Sequence, residues 1–136
     1  MQKIPRDSWA MIQCVIRRFP ENKTEYDNAR EEILESTPVQ DGQPHGNFPG
    51  NRLEAAVIQL NAPRMERMKR EIEAVDKAYA KLQEDHRKVI RIRFWSDRYR
   101  NMPYVWMQRN VSYSEVQMKR ICKAFIYEVG KNLGEI

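Results

Sequence analysis

The segment from Ser114 to Lys123 reads S-E-V-Q-M-K-R-I-C-K. Its side chains suit the reading of nucleic acid. Lys119, Arg120 and Lys123 carry cationic heads on long stems that reach guanine edges or phosphates. Glu115 can accept from a cytosine amino group, and Val116 can touch a thymine methyl. Ser114 and Gln117 complete the DNA-facing set at the start of this segment. Arg98, Arg100 and Arg109 stand just upstream, as do Arg87, Lys88, Arg91 and Arg93. Such residues reach phosphates and add affinity without sequence information.

No comparable set supports catalysis. There is no Gly-rich phosphate loop, no nucleophile motif and no His/carboxylate metal spacing. The expectation is therefore a non-enzyme with no catalytic residue, no metal ligand and no cofactor. Glu31-Glu32 and the Glu71/Glu73 pair read as solvated helix faces, and His45 stands alone in a Gly/Pro-rich stretch. Cys14 and Cys122 have no CxxC or Cys/His companions, which argues against zinc. Both lie among apolar residues at helical spacing and are expected as buried, reduced thiols.

Charge is distributed unevenly along the 136 residues. Residues 1–85 hold 13 Lys/Arg against 15 Asp/Glu, whereas residues 86–127 hold 10 against 2, a local net charge of +8. A one-sided excess in so short a block favours a polyanionic partner. Gly is scarce and no long stretch alternates apolar with polar residues, so the fold is expected to be all-α. No apolar run approaches the length of a membrane span, and Met11 to Ile16 is too short for a signal core. The expected location is cytoplasmic, with no membrane partner.

The elements that must position these groups follow from periodicity and breakers. Asp7 is expected to cap a first helix whose apolar face is Trp9, Ile12, Val15, Ile16 and Phe19, ended by Pro20. A second helix is expected from Lys23 to Glu35, and the two should form an antiparallel hairpin over residues 1–36. Pro38, Gly42, Pro44, Gly46, Pro49 and Gly50 make residues 37–52 a loop. Residues 53–83 form a central helical unit. It comprises a short helix (Leu53, Ala56, Val57, Leu60), Asn61-Ala62-Pro63 as cap and first turn, and a seam of Met65, Met68, Ile72, Val75, Tyr79 and Leu82. The seam is short for a coiled coil, which favours packing within the chain over a dimer, although a homo-oligomer stays open.

Residues 84–136 are expected to form a helix-turn-helix domain. Its first member is the basic helix Glu84 to Trp95. Asn101 then caps a helix with Pro103 in its first turn, running through Tyr104, Met107 and Val111. Two capping boxes compete for the start of the last helix: Ser114 with Gln117, and Ser112 with Glu115. Ser112 would turn Arg109 and Lys119 inward, which is costly. Ser114 instead buries Met118, Ile121, Cys122, Phe125 and Val129, and is the register expected here. Gly130 is expected to end or fray this helix. A helix-turn-helix places the N-terminal residues of its second helix in the major groove. The three Trp are expected to be core anchors, with Trp106 at the outer edge of the corner.

The segments "RRFPENKTEYDNAREEIL", "RLEAAVIQL", "KREIEAVDKAYAKL", "HRKVIRIRFW" and "NVSYSEVQMKRICKAFIYEVGKNLGEI" occur in that order over nearly the whole chain. In order and spacing they resemble the phage late transcription regulators of the RinA and ArpU type. The resemblance implies a helix-turn-helix similar to region 4 of sigma factors, activating late or packaging genes of phages and prophages. It also implies a recognition helix carrying Lys119, Arg120 and Lys123. The chain departs from the pattern at Gln108, where a small residue is usual, and at Ser112, where a turn glycine is usual. The expected partner is double-stranded DNA, with RNA polymerase a further candidate. The rival readings are a small terminase subunit, a DNA-packaging component, and a helical RNA-polymerase-binding protein.

Overall fold

A single residue, Arg18, separates the first two helices, and it decides how the N-terminal part is built. In the computed structural model, which describes residues 3–35, 49–98, 100 and 102–136, with only the backbone of 49–53, helix α1 spans Arg6–Arg17 and α2 spans Phe19–Glu35. Pro20 therefore opens α2 and does not terminate α1. In the first turn its missing N–H forfeits no hydrogen bond. The residue flanking α1 is Pro5, and no side chain caps the helix. Asp7 instead lies in the first turn, where its charge suits the helix dipole.

The stripe of α1 is used as its spacing predicts. Ile12, Val15 and Ile16 are buried, and Trp9 and Phe19 pack against the same core. Cys14 lies off that stripe and is exposed, contrary to expectation, whereas Cys122 is buried. The expected hairpin of α1 on α2 is not the main contact either helix makes: α1 packs chiefly on the last helix, α7, and α2 on α4. Among its described residues α2 fully buries none; its inward face is half-buried at Phe19, Tyr26, Ala29 and Ile33, and polar contacts add to it. Arg18 Nη2 donates to Glu71 Oε1 at 2.6 Å and Asn22 Nδ2 donates to Glu71 Oε2 at 3.3 Å. Arg64 pairs with Glu25. Glu71, expected on a solvated face, is thus a buried carboxylate joining α4 to the α1–α2 joint.

Helix α3 spans Pro49–Leu60. It starts within the expected loop, whose remainder, residues 37–48 with His45, lies outside the described residues. Helix α4 spans Pro63–Ala80 with Pro63 in its first turn, flanked by Ala62 where Asn61 was expected as cap. Its seam is buried within the chain at Met65, Met68, Ile72 and Val75, with Tyr79 and Leu82 packed at the end of the core.

Helix α5 (Glu84–Ile90) continues as a π-helical turn, Arg91–Trp95. The wider turn carries Phe94 into the core, 6.3 Å from Phe125 between ring centroids. It also brings Trp95 between Phe19 and Tyr79, where its indole N–H donates to Ile16 O at 2.7 Å. Helix α6 (Tyr104–Met107) is a single turn, and α7 spans Glu115–Leu133.

Gly130 does not end α7. A Cβ built there would lie 2.7 Å from Ile12 Cδ1 and 3.0 Å from Ile136 Cδ1, so the tips of both side chains occupy the space that glycine leaves. The terminator is Gly134, at φ +80°, with Glu135 N–H donating to Gly130 O at 2.9 Å. One buried core joins α1, α4, α5, its π turn, α6 and α7, centred on Ile12, Ile16, Ile90, Met107, Met118 and Phe125. The described residues are all-helical, and none of their helices is long and apolar enough to cross a membrane.

Candidate nucleic-acid interface

The start of α7 is built from the residues that the capping pattern requires. Ser114 Oγ accepts from the Gln117 backbone N–H at 3.2 Å, and Gln117 Oε1 accepts from the Ser114 N–H at 2.9 Å. These reciprocal bonds satisfy two donors that a helix N-terminus would otherwise leave open. Ser114 and Gln117 thus hold the first turn in place, although both are exposed. The Ser112 alternative does not occur.

Burial settles which side of α7 is free. Met118, Ile121, Cys122, Phe125, Ile126 and Val129 face the core. Glu115, Val116, Lys119, Arg120 and Lys123 are exposed. Val116 is an apolar side chain left 59% in solvent on the same side of α7 as the cations. Lys119 pairs with Glu115 at 3.1 Å, an exposed i,i+4 contact of about 0.3–0.5 kcal/mol that yields easily to a ligand. Arg120 and Lys123 have no ion pair or hydrogen bond among the described residues.

The element preceding α7 is shorter than expected. After the four residues of α6 the chain tightens into i to i+3 turns, with Gln108 N–H donating to Val105 O and Asn110 N–H to Met107 O. Pro103 is the flanking residue, not part of the first turn, and Asn101 lies outside the described residues. Met107 is fully buried, while Val111 and Tyr113 pack against the core, so these three residues form the corner. Gln108, at the position where a small residue is usual, is exposed and obstructs nothing.

Tyr104 forms a shelf beneath α7. Its ring lies 4.0 Å from the Arg93 guanidinium carbon and 5.7 Å from Lys119 Nζ. Burial, then the neighbouring Cys122, pushes its phenol up to about 12, and burial pushes the Cys122 thiol up to about 11. At neutral pH both are uncharged packing groups. The sequence reading did not single out Tyr104 for this role; the signal was an aromatic three residues before a buried Met.

The arginines of α5 and its π turn are committed elsewhere. Arg87 donates to Tyr79 O at 3.1 Å and Ala80 O at 2.8 Å, closing the C-terminal end of α4. Arg91 binds Tyr79 Oη at 2.7 Å and Glu84 at 2.8 Å, and this pairing holds the Glu84 carboxyl below its ordinary value. Arg93 donates to Met102 O. Of the basic residues expected to reach phosphates from this helix, only Lys88 lacks a hydrogen bond or ion pair among the described residues.

Arg98, Arg100 and Arg109 are all exposed. Arg109 lies 5.3 Å from the Trp106 ring, and Trp106 is itself 48% exposed, at the outer edge of the corner and outside the core. Among the described residues no group of three His, Cys, Asp or Glu is placed to hold a metal ion. In comparisons with known proteins, no family model, no curated protein and no solved structure matches the chain.

Proposed function

We propose that this chain is a sequence-specific DNA-binding transcription regulator that uses α6 and α7 as a helix-turn-helix. The observation that carries the reading is the free side of α7. Its first three turns, capped by Ser114, expose Val116, Lys119, Arg120 and Lys123 together while the opposite side is buried. Arg120 and Lys123, with no ion pair or hydrogen bond among the described residues, and Lys119, held only by an exposed pair with Glu115, beside an apolar contact group, suit the reading of base edges and phosphates. The basic block of residues 86–127 and the exposed Arg98, Arg100 and Arg109 support it with long-range attraction and phosphate contacts. The narrower assignment, a late-gene activator of a phage or prophage in the host cytoplasm, rests on the resemblance to the RinA and ArpU regulators.

The test is equilibrium binding to promoter fragments upstream of phage late genes over a series of salt concentrations. Binding should be salt-sensitive and sequence-dependent. Arg120→Ala should weaken specific binding by about 1–3 kcal/mol with no change in melting, because Arg120 is exposed and unpaired among the described residues. No binding to any such fragment at low salt overturns the proposal.

Contact with RNA polymerase is a second reading with an observation of its own. Met102, Val105 and Trp106 are exposed large apolar residues close together in sequence, with Arg109 against the indole. Trp and Arg are the residue types enriched at protein interfaces. Trp106→Ala should abolish polymerase pull-down and leave DNA binding intact. A large ring by light scattering would favour the packaging reading instead.

A further inference from the structure

A cleft of about 220 Å³ lies between α5 and the turn leading into α7, lined by Asp85, Lys88, Asn110, Val111, Ser112 and Tyr113. Its position and its polar groups set it apart from the rest of the basic region. Arg87, Arg91 and Arg93 are occupied by backbone carbonyls, a tyrosine hydroxyl or a carboxylate of this chain. Lys88 and Ser112, by contrast, have no hydrogen bond or ion pair among the described residues. Asn110 Nδ2 is buried and has no acceptor among the described residues. A buried amide donor is unfavourable until it finds one. The terminal torsion of an asparagine is soft, so a small rotation presents this N–H to an acceptor in the cleft. The Tyr113 wall is steadied by His86, whose ring meets it edge-on at 5.6 Å.

We propose that this cleft seats one phosphodiester of the DNA backbone. Lys88 supplies the charge, while the Asn110 amide and the Ser112 hydroxyl donate to the phosphate oxygens. A phosphodiester is an acceptor-only group with a single negative charge, which suits three donors of which one is cationic. Ser112 stands two residues before the Ser114 cap, so a strand running alongside the first turn of α7 meets the cleft. Asp85 lines the same space and opposes an anion. Its carboxylate lowers the affinity that Lys88 provides and makes the seat weaker than it would be without it.

This inference rests on the DNA-binding reading, and the experiment separates the two. The full chain is titrated against a DNA fragment that it binds and against unrelated DNA, across a salt series. The variants are Lys88→Ala, Ser112→Ala and Asp85→Asn, with Lys69→Ala on α4 as a control of equal charge change. Lys88→Ala should weaken both complexes by the same factor, about three- to tenfold, and lower the slope of log K against log salt by about 0.9. Ser112→Ala should weaken binding with the slope unchanged, Asp85→Asn should tighten it, and Lys69→Ala should do neither. If the unaltered protein binds no DNA, the reading and the inference both fall. If it binds, and Lys88→Ala matches Lys69→Ala in affinity and slope, or Asp85→Asn has no effect, only the cleft assignment falls.

Discussion

Ser114 is the position where local structure and recognition are most tightly joined. Ser114→Ala removes the acceptor of the Gln117 N–H, while the backbone N–H of residue 114, to which the Gln117 side chain returns, is kept. Both residues are exposed, so water takes over the freed groups and the full penalty of a buried unpaired donor does not apply. The expected loss is therefore about 1 kcal/mol, the middle of the range for a capping serine. For a chain of this size that is about 3–5 °C in Tm. The assay is urea unfolding of the single variants Ser114→Ala and Gln117→Ala and of the double variant. The two bonds are reciprocal, so the double loss should fall short of the sum of the singles. Ser114→Asp provides the control, because aspartate caps as well as serine and suits the helix dipole. It should retain stability while weakening DNA binding through repulsion. An unchanged midpoint in Ser114→Ala, or Ser114→Asp as unstable as Ser114→Ala, would refute the account of this helix start.

Glu71→Ala should cost about 1–3 kcal/mol by urea unfolding, since it strips Arg18 and Asn22 of their shared acceptor, and Glu71→Gln should cost less; a change within about 0.5 kcal/mol would count against the joint described here. Gly134→Ala should lose about 1 kcal/mol, because φ +80° is unfavourable for a residue with a Cβ even though space is open there; calorimetry reads it directly. Thiol titration in the native protein should find one fast group, Cys14, and one that reacts only on unfolding, Cys122. The folded Cys122 and Tyr104 hold their protons above their ordinary values of 9.0 and 10.0, up to about 11 and 12. The unfolded chain therefore releases them first, and stability should fall as pH rises from about 9 toward 12, a trend that chemical unfolding at stepped pH would expose.

The readable parts of this chain are those that depend on near neighbours. The stripe of α1, the seam of α4 and the choice of Ser114 over Ser112 all follow from apolar positions three and four residues apart and from a capping pair three apart. Each appears in the structure with the expected residues inward. Helix ends were less readable. Pro20 terminates or opens a helix depending on which side of it the chain bends. Gly130 reads as a breaker until Ile12, more than a hundred residues away, is placed against it.

The candidate site divides along the same line. Composition and spacing alone mark residues 86–127 as a cationic block and place Glu115, Val116, Lys119, Arg120 and Lys123 on one side of a capped helix, because charge and a 3.6-residue period are properties of the chain itself. Which cations remain available was decided only by folding. Arg87, Arg91 and Arg93 look equivalent to Lys88 in sequence. They lose their freedom to Tyr79 and Ala80 at the end of α4, to Glu84, and to Met102. Glu71 likewise changes from a solvated carboxylate into a buried link. The physical reason is common to all of them: a hydrogen bond or ion pair is settled by distances of a few ångströms, which depend on how helix ends and turns fold back, whether the partners are 7 residues apart, as Glu84 and Arg91 are, or 53, as Arg18 and Glu71 are. The pattern of a helix is local, but the partner of a charge is not.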